Sequence, residues 1–311
     1  MVNFQRTYML QRYTHGELTW IDLESPSRNE VRDITNEFGL EALIAEELLL
    51  PTAKPRLERH GEMLYLILHF PALRHTEHST DQEIDFIVGK NFIITTRYDT
   101  IDPLHKFSKV FEVNSMLDKS TLGEHAGFIL YFMLKKMYGA VDFEVEHLRA
   151  ALRDIEAKIF EGEERGMVIA LSKIGRDLLN MRQAIEPHRD ILQSLEKEGE
   201  VVFGDDFFPY LRAITNEYYR VHNHVMRHTE SLHELRETNN SLLSTKQSEI
   251  VQTLTILTAL TFPFAIISDV FSMNTVNQPI IGSTYDFWIL VMLMGAGVAS
   301  LFAFFKYKKW L

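Results

Sequence analysis

Three regimes of hydrophobic patterning divide the chain. Across residues 7–98 apolar and polar positions alternate in short runs, the period-2 signal of β-strands. Segments 8–13 and 17–23 read as strands around a His15-Gly16 turn, and 56–60, 63–70, 83–88 and 92–96 as four more. His60-Gly61 and Gly89-Lys90-Asn91 supply turns. Alternation of Ile84, Phe86, Val88 and of Phe92, Ile94 predicts a half-buried sheet. Ser25-Pro26 opens a helix, with Pro26 suited to its first turn, and residues 40–50 form a second short helix stopped by Pro51.

From Thr121 the apolar spacing changes to alternating fours and threes. Leu134, Tyr138, Val141, Val145, Leu148, Leu152, Ile155 and Ile159 trace one seam, and Met167, Leu171, Ile174, Leu178, Met181, Ile185, His188, Leu192 and Leu195 a second. A third comprises Phe207, Leu211, Ile214, Tyr218, Val221, Val225, His228, Leu232, Leu235, Asn239 and Leu242. Such spacing specifies helices packed along narrow seams. Breaks at 161–164 and 198–206 make the first two an antiparallel pair, and Pro187 is expected to kink the second. Asn239 at a seam position fits a polar residue that sets register in an oligomer. The third run has no break before residue 271, so one helix on the order of 100 Å long joins a cytosolic region to the apolar C-terminal part of the chain.

The third regime is continuous apolarity. Segment 250–271 carries one acid, Asp269, and 287–305 carries no charge, each about the length a helix needs to cross a bilayer core. The loop between them has no Lys or Arg, whereas Lys246 precedes the first span and Lys306, Lys308 and Lys309 come directly after the second. By the positive-inside tendency both termini face the cytoplasm, as in a multi-pass protein of a bacterial-type inner membrane. Tyr285, Trp288 and Trp310 sit at span ends, where aromatic rings favour the interface.

The resulting division is an α/β cytosolic domain at 1–120, antiparallel long helices at 121–205, and a stalk helix at 206–271 that becomes the first span. A loop at 272–286, a second span at 287–305 and a basic cytosolic tail at 306–311 complete it. Composition narrows the function classes. With 46% hydrophobic residues in 311, there is material for a soluble core and a membrane region. The absence of cysteine removes disulfides and thiolate metal sites, and the N-terminus lacks the apolar core of a signal peptide. A formal net charge of −11 argues against nucleic acid. No phosphate loop, nucleophile–base pair or dinucleotide glycine pattern points to an enzyme.

A long helix running into a first span, Pro263 within that span, and Phe271-Ser272-Met273-Asn274 at its outer end together resemble the CorA-type magnesium transporters. That family carries Gly-Met-Asn where this chain has Ser272-Met273-Asn274, and the run EIDFIVGKNFIITTRY from Glu83 is similar to its strand–Gly-Lys-Asn–strand hairpin. The resemblance implies a funnel-shaped homopentamer, without a cofactor, in which the first spans line a pore for Mg²⁺ or another divalent cation. It makes Ser272, Met273 and Asn274 the selectivity filter and places Ser248, Val251, Leu254, Thr258, Phe262 and Ala265 along the pore. Independently, these last six recur every three to four residues and so share a helix face. Leu254 and Phe262 are candidate hydrophobic constrictions. Asn274 suits a hydrated Mg²⁺, whose waters a neutral amide oxygen can hold without stripping.

The chain departs from the pattern in several places. Ser272 replaces the family's glycine, Ser248 its usual asparagine and Ala265 its threonine, and Ile280 stands after Pro279 where an acid is common. Asp269 offers negative potential near the outer mouth. The family's regulatory Mg²⁺ site uses an aspartate after an arginine, matched here by Arg212-Ala213. Asp81, Glu83 and Asp85 are acids elsewhere in the sheet domain. His224 and His228, at i and i+4, form a candidate site for a softer ion. These features leave two alternatives beside Mg²⁺: a Zn²⁺, Co²⁺ or Ni²⁺ transporter of the same fold, or a poorly conducting structural or regulatory membrane oligomer.

Overall fold

The computed structural model describes residues 10–71, 81–98, 101, 103–104, 124–273 and 285–308. The chain divides into two compact units, Met1–Arg236 and Glu237–Leu311. In the first, six strands form one sheet: β1 (Leu10–His15), β2 (Leu18–Glu24), β3 (Arg56–His60), β4 (Met63–Phe70), β5 (Gln82–Val88) and β6 (Phe92–Arg97). Their order is β1-β2-β6-β5-β4-β3. Neighbours pair antiparallel except β2 and β6, which run parallel. That parallel seam is pinned by Arg97, whose guanidinium reaches Asp22 at 3.0 Å and Glu24 at 2.9 Å.

One sheet face packs under helices α1 (Arg28–Phe38) and α2 (Ala42–Glu47). Ile21, Leu23, Tyr65, Ile67, Ile87 and Ile94 point there and meet Val31, Ile34, Ile44 and Leu48. Helix α1 starts at Arg28 because Ser27, not Ser25, is the N-cap: Ser27 and Glu30 form a reciprocal capping box, leaving Pro26 outside the helix. The opposite sheet face is covered by α3 (Ala126–Phe160), α4 (Glu164–Ile185) and α5 (His188–Phe203). Every residue of β5 is consequently buried, so the sheet is sandwiched rather than half-buried. The alternation of Ile84, Phe86 and Val88 distinguishes two covered faces, one of which also accepts Glu83 and Asp85.

The Gly89-Lys90-Asn91 turn does more than reverse the chain. A Cβ on Gly89 would lie 2.4 Å from the ring of Phe92, so only glycine fits beneath that ring. The Gly89 N–H closes the turn on the Phe92 carbonyl at 2.9 Å, and the Lys90 carbonyl accepts the N–H of Ala126, the first residue of α3, at 2.8 Å. The hairpin therefore supplies an acceptor for one of the free donors at a helix start.

At Pro187 the helix is interrupted while the backbone stays helical, with Glu186 at φ −54°, ψ −43° and Pro187 at φ −65°, ψ −21°, as a proline kink requires. α4 stops at Ile185, and α5 restarts at His188 with Pro187 as its N-cap, because proline offers no N–H and clashes with the preceding turn. His188 is then wholly enclosed. Its Nε2 lies 2.9 Å from the carbonyl of His69 and its Nδ1 2.9 Å from the Tyr138 hydroxyl. A carbonyl only accepts, so Nε2 carries the proton and Nδ1 accepts from Tyr138. One neutral imidazole thus ties α5 to β4 and α3. Burial drives its pKa down to about 3, against the raising effect of the His69 carbonyl.

Helix α6 (Phe208–Ser272) is continuous over 65 residues. Its seam residues Leu211, Ile214, Tyr218, Val221, Val225 and Leu232 are buried in the first unit. Asn239 is buried as well. Helix α7 (Asp286–Tyr307) completes the second unit.

Candidate functional site: the exposed arc of helix α6

Within α6 and α7 lie two stretches long and apolar enough to cross a membrane, and almost none of either is buried. Soluble core helices would hide such residues; here Leu254, Leu257, Phe262, Val270, Phe287, Trp288 and Met292 are all more than half exposed. The exceptions in these stretches are Ile256 and Phe305, 7% and 6% exposed. Pro263 lies inside α6 without ending it, a placement tolerated where neighbouring hydroxyls and helices re-satisfy the freed carbonyl.

Successive helical residues rotate by about 100°. On that basis Ser248, Val251, Leu254, Thr258, Phe262 and Ala265 fall within an arc of about 120°, and each is exposed. Buried Ile256 falls outside the arc. The face expected from the sequence is therefore an open, continuous stripe on one helix. Its N-terminal part borders an open cleft of about 600 Å³ lined by Ser244, Gln247, Ser248, Val251, Gln252 and Thr255.

The hydroxyls of this helix share a chemistry. Ser248 donates to the Ser244 carbonyl at 3.0 Å, Thr255 to Val251 at 2.7 Å, and Thr258 to Leu254 at 2.8 Å. Thr253 and Thr261, off the arc, do likewise. Each proton is spent on the helix's own backbone, which satisfies the group without water. What the side chain offers outward is oxygen lone pairs alone. On the arc, that polarity matches the hydrogens of water held by a cation.

At the C-terminal end of α6, the Ser272 hydroxyl donates to the Asp269 carbonyl at 2.9 Å, and Ser272, Met273 and Asp269 are exposed. The Ser272 side chain thus holds the last turn of α6. Asn274, Lys309 and Trp310 lie outside the described residues.

The histidine pair lies elsewhere, in the first unit. His224 Nδ1 is 2.6 Å from Asp142 of α3, and Arg220 approaches the same carboxylate at 3.6 Å. His228 is partly buried, which lowers its pKa despite Glu146 nearby. Sequence spacing finds the histidines but not Asp142 and Glu146, which repeat i, i+4 on the facing helix. Among the described residues no three metal-ligating side chains converge.

The sheet acids face inward. Glu83 accepts the Thr52 N–H at 2.7 and 2.9 Å and lies 3.2 Å from His69 Nε2. Burial raises its pKa, but the His69 and Thr52 hydrogen bonds outweigh it and leave Glu83 below the ordinary carboxylate range. Asp85 is fully buried, with the Tyr65 hydroxyl 3.3 Å away. Burial, then the Glu83 charge beside it, pushes its pKa well up. Both are committed inside the fold, so neither is available to bridge subunits. Of these three acids only Asp81, just before β5, is exposed.

Residues 15–308 match the family described as CorA-like Mg2+ transporter protein. The chain belongs to this family. Among CorA relatives, the cobalt/magnesium transport protein CorA of Thermotoga maritima is 22% identical over 298 residues, covering 94% of this chain and 83% of that one. The putative metal ion transporter YfjQ of Bacillus subtilis is 23% identical over 293 residues, covering 94% and 89%. The fold matches the complete CorA magnesium transporter of Methanocaldococcus jannaschii with a TM-score of 0.83 at 18% identity, across 96% of this chain and 93% of that one. A CorA-family divalent-cation transporter, rather than an enzyme, accounts for the α/β domain, the long helices and the two apolar C-terminal helices together.

Proposed function

We propose that this CorA-family chain assembles as a homopentamer and conducts Mg²⁺ down its electrochemical gradient, through a pore lined by the first span of each copy. Asn274, with Ser272 and Met273, forms the entrance filter, and Asp269 adds negative potential at the outer mouth. Ser248, Val251, Leu254, Thr258, Phe262 and Ala265 line the path, and both termini face the cytoplasm. The observation that carries this reading is the exposed arc on α6, whose hydroxyls face outward as acceptors only. A lone two-helix hairpin cannot enclose water, so several copies must surround the ion. A hydrated divalent ion passing such an arc keeps its waters, as Mg²⁺ chemistry favours. The driving force is about 4.6 kcal/mol for two charges at 100 mV.

The relative from Thermotoga maritima is named for both cobalt and magnesium, so the ion is an experimental outcome. In proteoliposomes, Asn274→Ala is expected to abolish Mg²⁺ uptake while native mass spectrometry still shows five copies. Unchanged uptake would remove Asn274 from the filter, and a monomer in mild detergent would remove the pore.

A further inference from the structure

The residues assigned to the pore by resemblance are not the whole exposed arc. On the same projection, with about 100° per residue, Ser244, Gln247 and Thr255 also fall inside the arc, whose edges are Ser248 and Leu254. Gln247 lies closer to its centre than Ser248 does. Gln252 falls just beyond one edge, and Thr253 points almost directly away. Ser244, Gln247, Ser248, Val251 and Thr255 line the same open cleft.

Gln247 differs chemically from its neighbours. Ser248 and Thr255 have turned their protons back to the helix and present short-armed hydroxyl oxygens. A glutamine amide reaches about two bonds further and offers a carbonyl oxygen with two lone pairs. Ser248 stands where a longer amide is usual in the family. A glutamine one residue earlier, on the same arc, returns an amide oxygen to that level.

We propose that Gln247 is a cation-hydration residue of the inner pore, its amide oxygen accepting hydrogen bonds from water carried by the divalent ion, alongside the hydroxyl acceptors of Ser248, Thr255 and Thr258. The assignment rests on the pore reading. It adds a ring of one amide per copy to a stretch that otherwise offers only hydroxyls and apolar groups. Its chemistry suits a fully hydrated hard divalent cation, since neutral acceptors hold the water shell without competing for direct coordination.

The chain has no native cysteine, so single cysteines can be introduced and modified without background. Full-length Gln247→Cys, Thr258→Cys and Thr253→Cys variants are reconstituted, and Mg²⁺ flux is measured before and after a charged thiosulfonate reagent; Gln247→Ala is measured alongside. The proposal expects modification to block flux at 247 and 258 but not at 253. It also expects Gln247→Ala to lower flux by about fivefold or more, the rate equivalent of one hydrogen bond. Block at 258 with no effect at 247, and normal flux in Gln247→Ala, would overturn the role of Gln247 and leave the pore standing. Flux before modification shows that each variant folds. Active variants with no block at 247 or 258 would overturn the pore reading and this proposal with it.

Discussion

Acid should unlock the first unit at one histidine. His188 is enclosed by Tyr138, Phe70 and the His69 carbonyl, and its pKa falls from 6.5 to about 3 because burial disfavours the charged ring. A group whose folded-state pKa is depressed binds its proton first in the unfolded state. Its contribution is therefore fully present above pH 6.5 and is lost as pH falls from 6.5 toward 3. The slope is about 1.4 kcal/mol per pH unit, so pH 5 costs about 2 kcal/mol relative to pH 7. His125 and His228 are also held below the ordinary histidine value by burial, so the informative quantity is a difference. His188→Leu is expected to be less stable at pH 7, since the Tyr138 hydroxyl and His69 carbonyl lose a partner, at about 1–3 kcal/mol. Its further loss between pH 7 and pH 5 should be smaller than that of the native chain by about 2 kcal/mol. Urea unfolding in mild detergent, monitored by the fluorescence of buried Trp20, reads both. Equal losses in the two proteins would show that His188 is not the buried neutral group described here.

Three further outcomes rest on the geometry. Gly89→Ala should destabilise the first unit by about 1–3 kcal/mol, because the new methyl drives Phe92 off its site and disturbs the turn that caps α3; urea midpoints check it, and an unchanged midpoint would mean that the Phe92 ring yields freely. Asp85→Asn should cost less at pH 7 than Glu83→Gln, since burial and the neighbouring Glu83 charge already disfavour the charged form of Asp85, whereas Glu83→Gln weakens hydrogen bonds to a charged carboxylate at about 1.5–3 kcal/mol; the reverse ranking in the same assay would contradict this ordering. Phe262→Ala, which removes an exposed ring from the proposed constriction, should raise Mg²⁺ flux in proteoliposomes, and unchanged or lower flux would place the constriction elsewhere.

Much of this architecture is legible from periodicity because each signal has one dominant physical cause. The seams through Leu134–Ile159 and Leu171–Ile185 are buried as their spacing requires, and strands 56–60 and 63–70 appear with those bounds. The kink at Pro187 is legible too, since the spacing continues across it through Ile185, His188 and Leu192. Sequence alternation makes the sheet look half-buried because β5 places Glu83 and Asp85 on a face that Thr52, Tyr65 and His69 make hospitable to acids, a compensation spread over distant strands. On α6 the exposed stripe is visible from spacing alone, and simple rotation around the helix also places Gln247 on it. Asp142 opposite His224 is a tertiary pairing across 82 positions, beyond any local spacing.

If the chain forms a Mg²⁺-conducting pore as proposed, an imposed potential should drive Mg²⁺ uptake. Purified full-length protein is reconstituted into liposomes holding a Mg²⁺-sensitive or Zn²⁺-sensitive dye, and an inside-negative potential is imposed with a potassium gradient and valinomycin. Mg²⁺ uptake is expected to grow with the potential, to exceed Zn²⁺ uptake and to disappear in Asn274→Ala. Zn²⁺ uptake without Mg²⁺ uptake would contradict the ion assignment; protein that is assembled yet passes neither ion would contradict the pore itself.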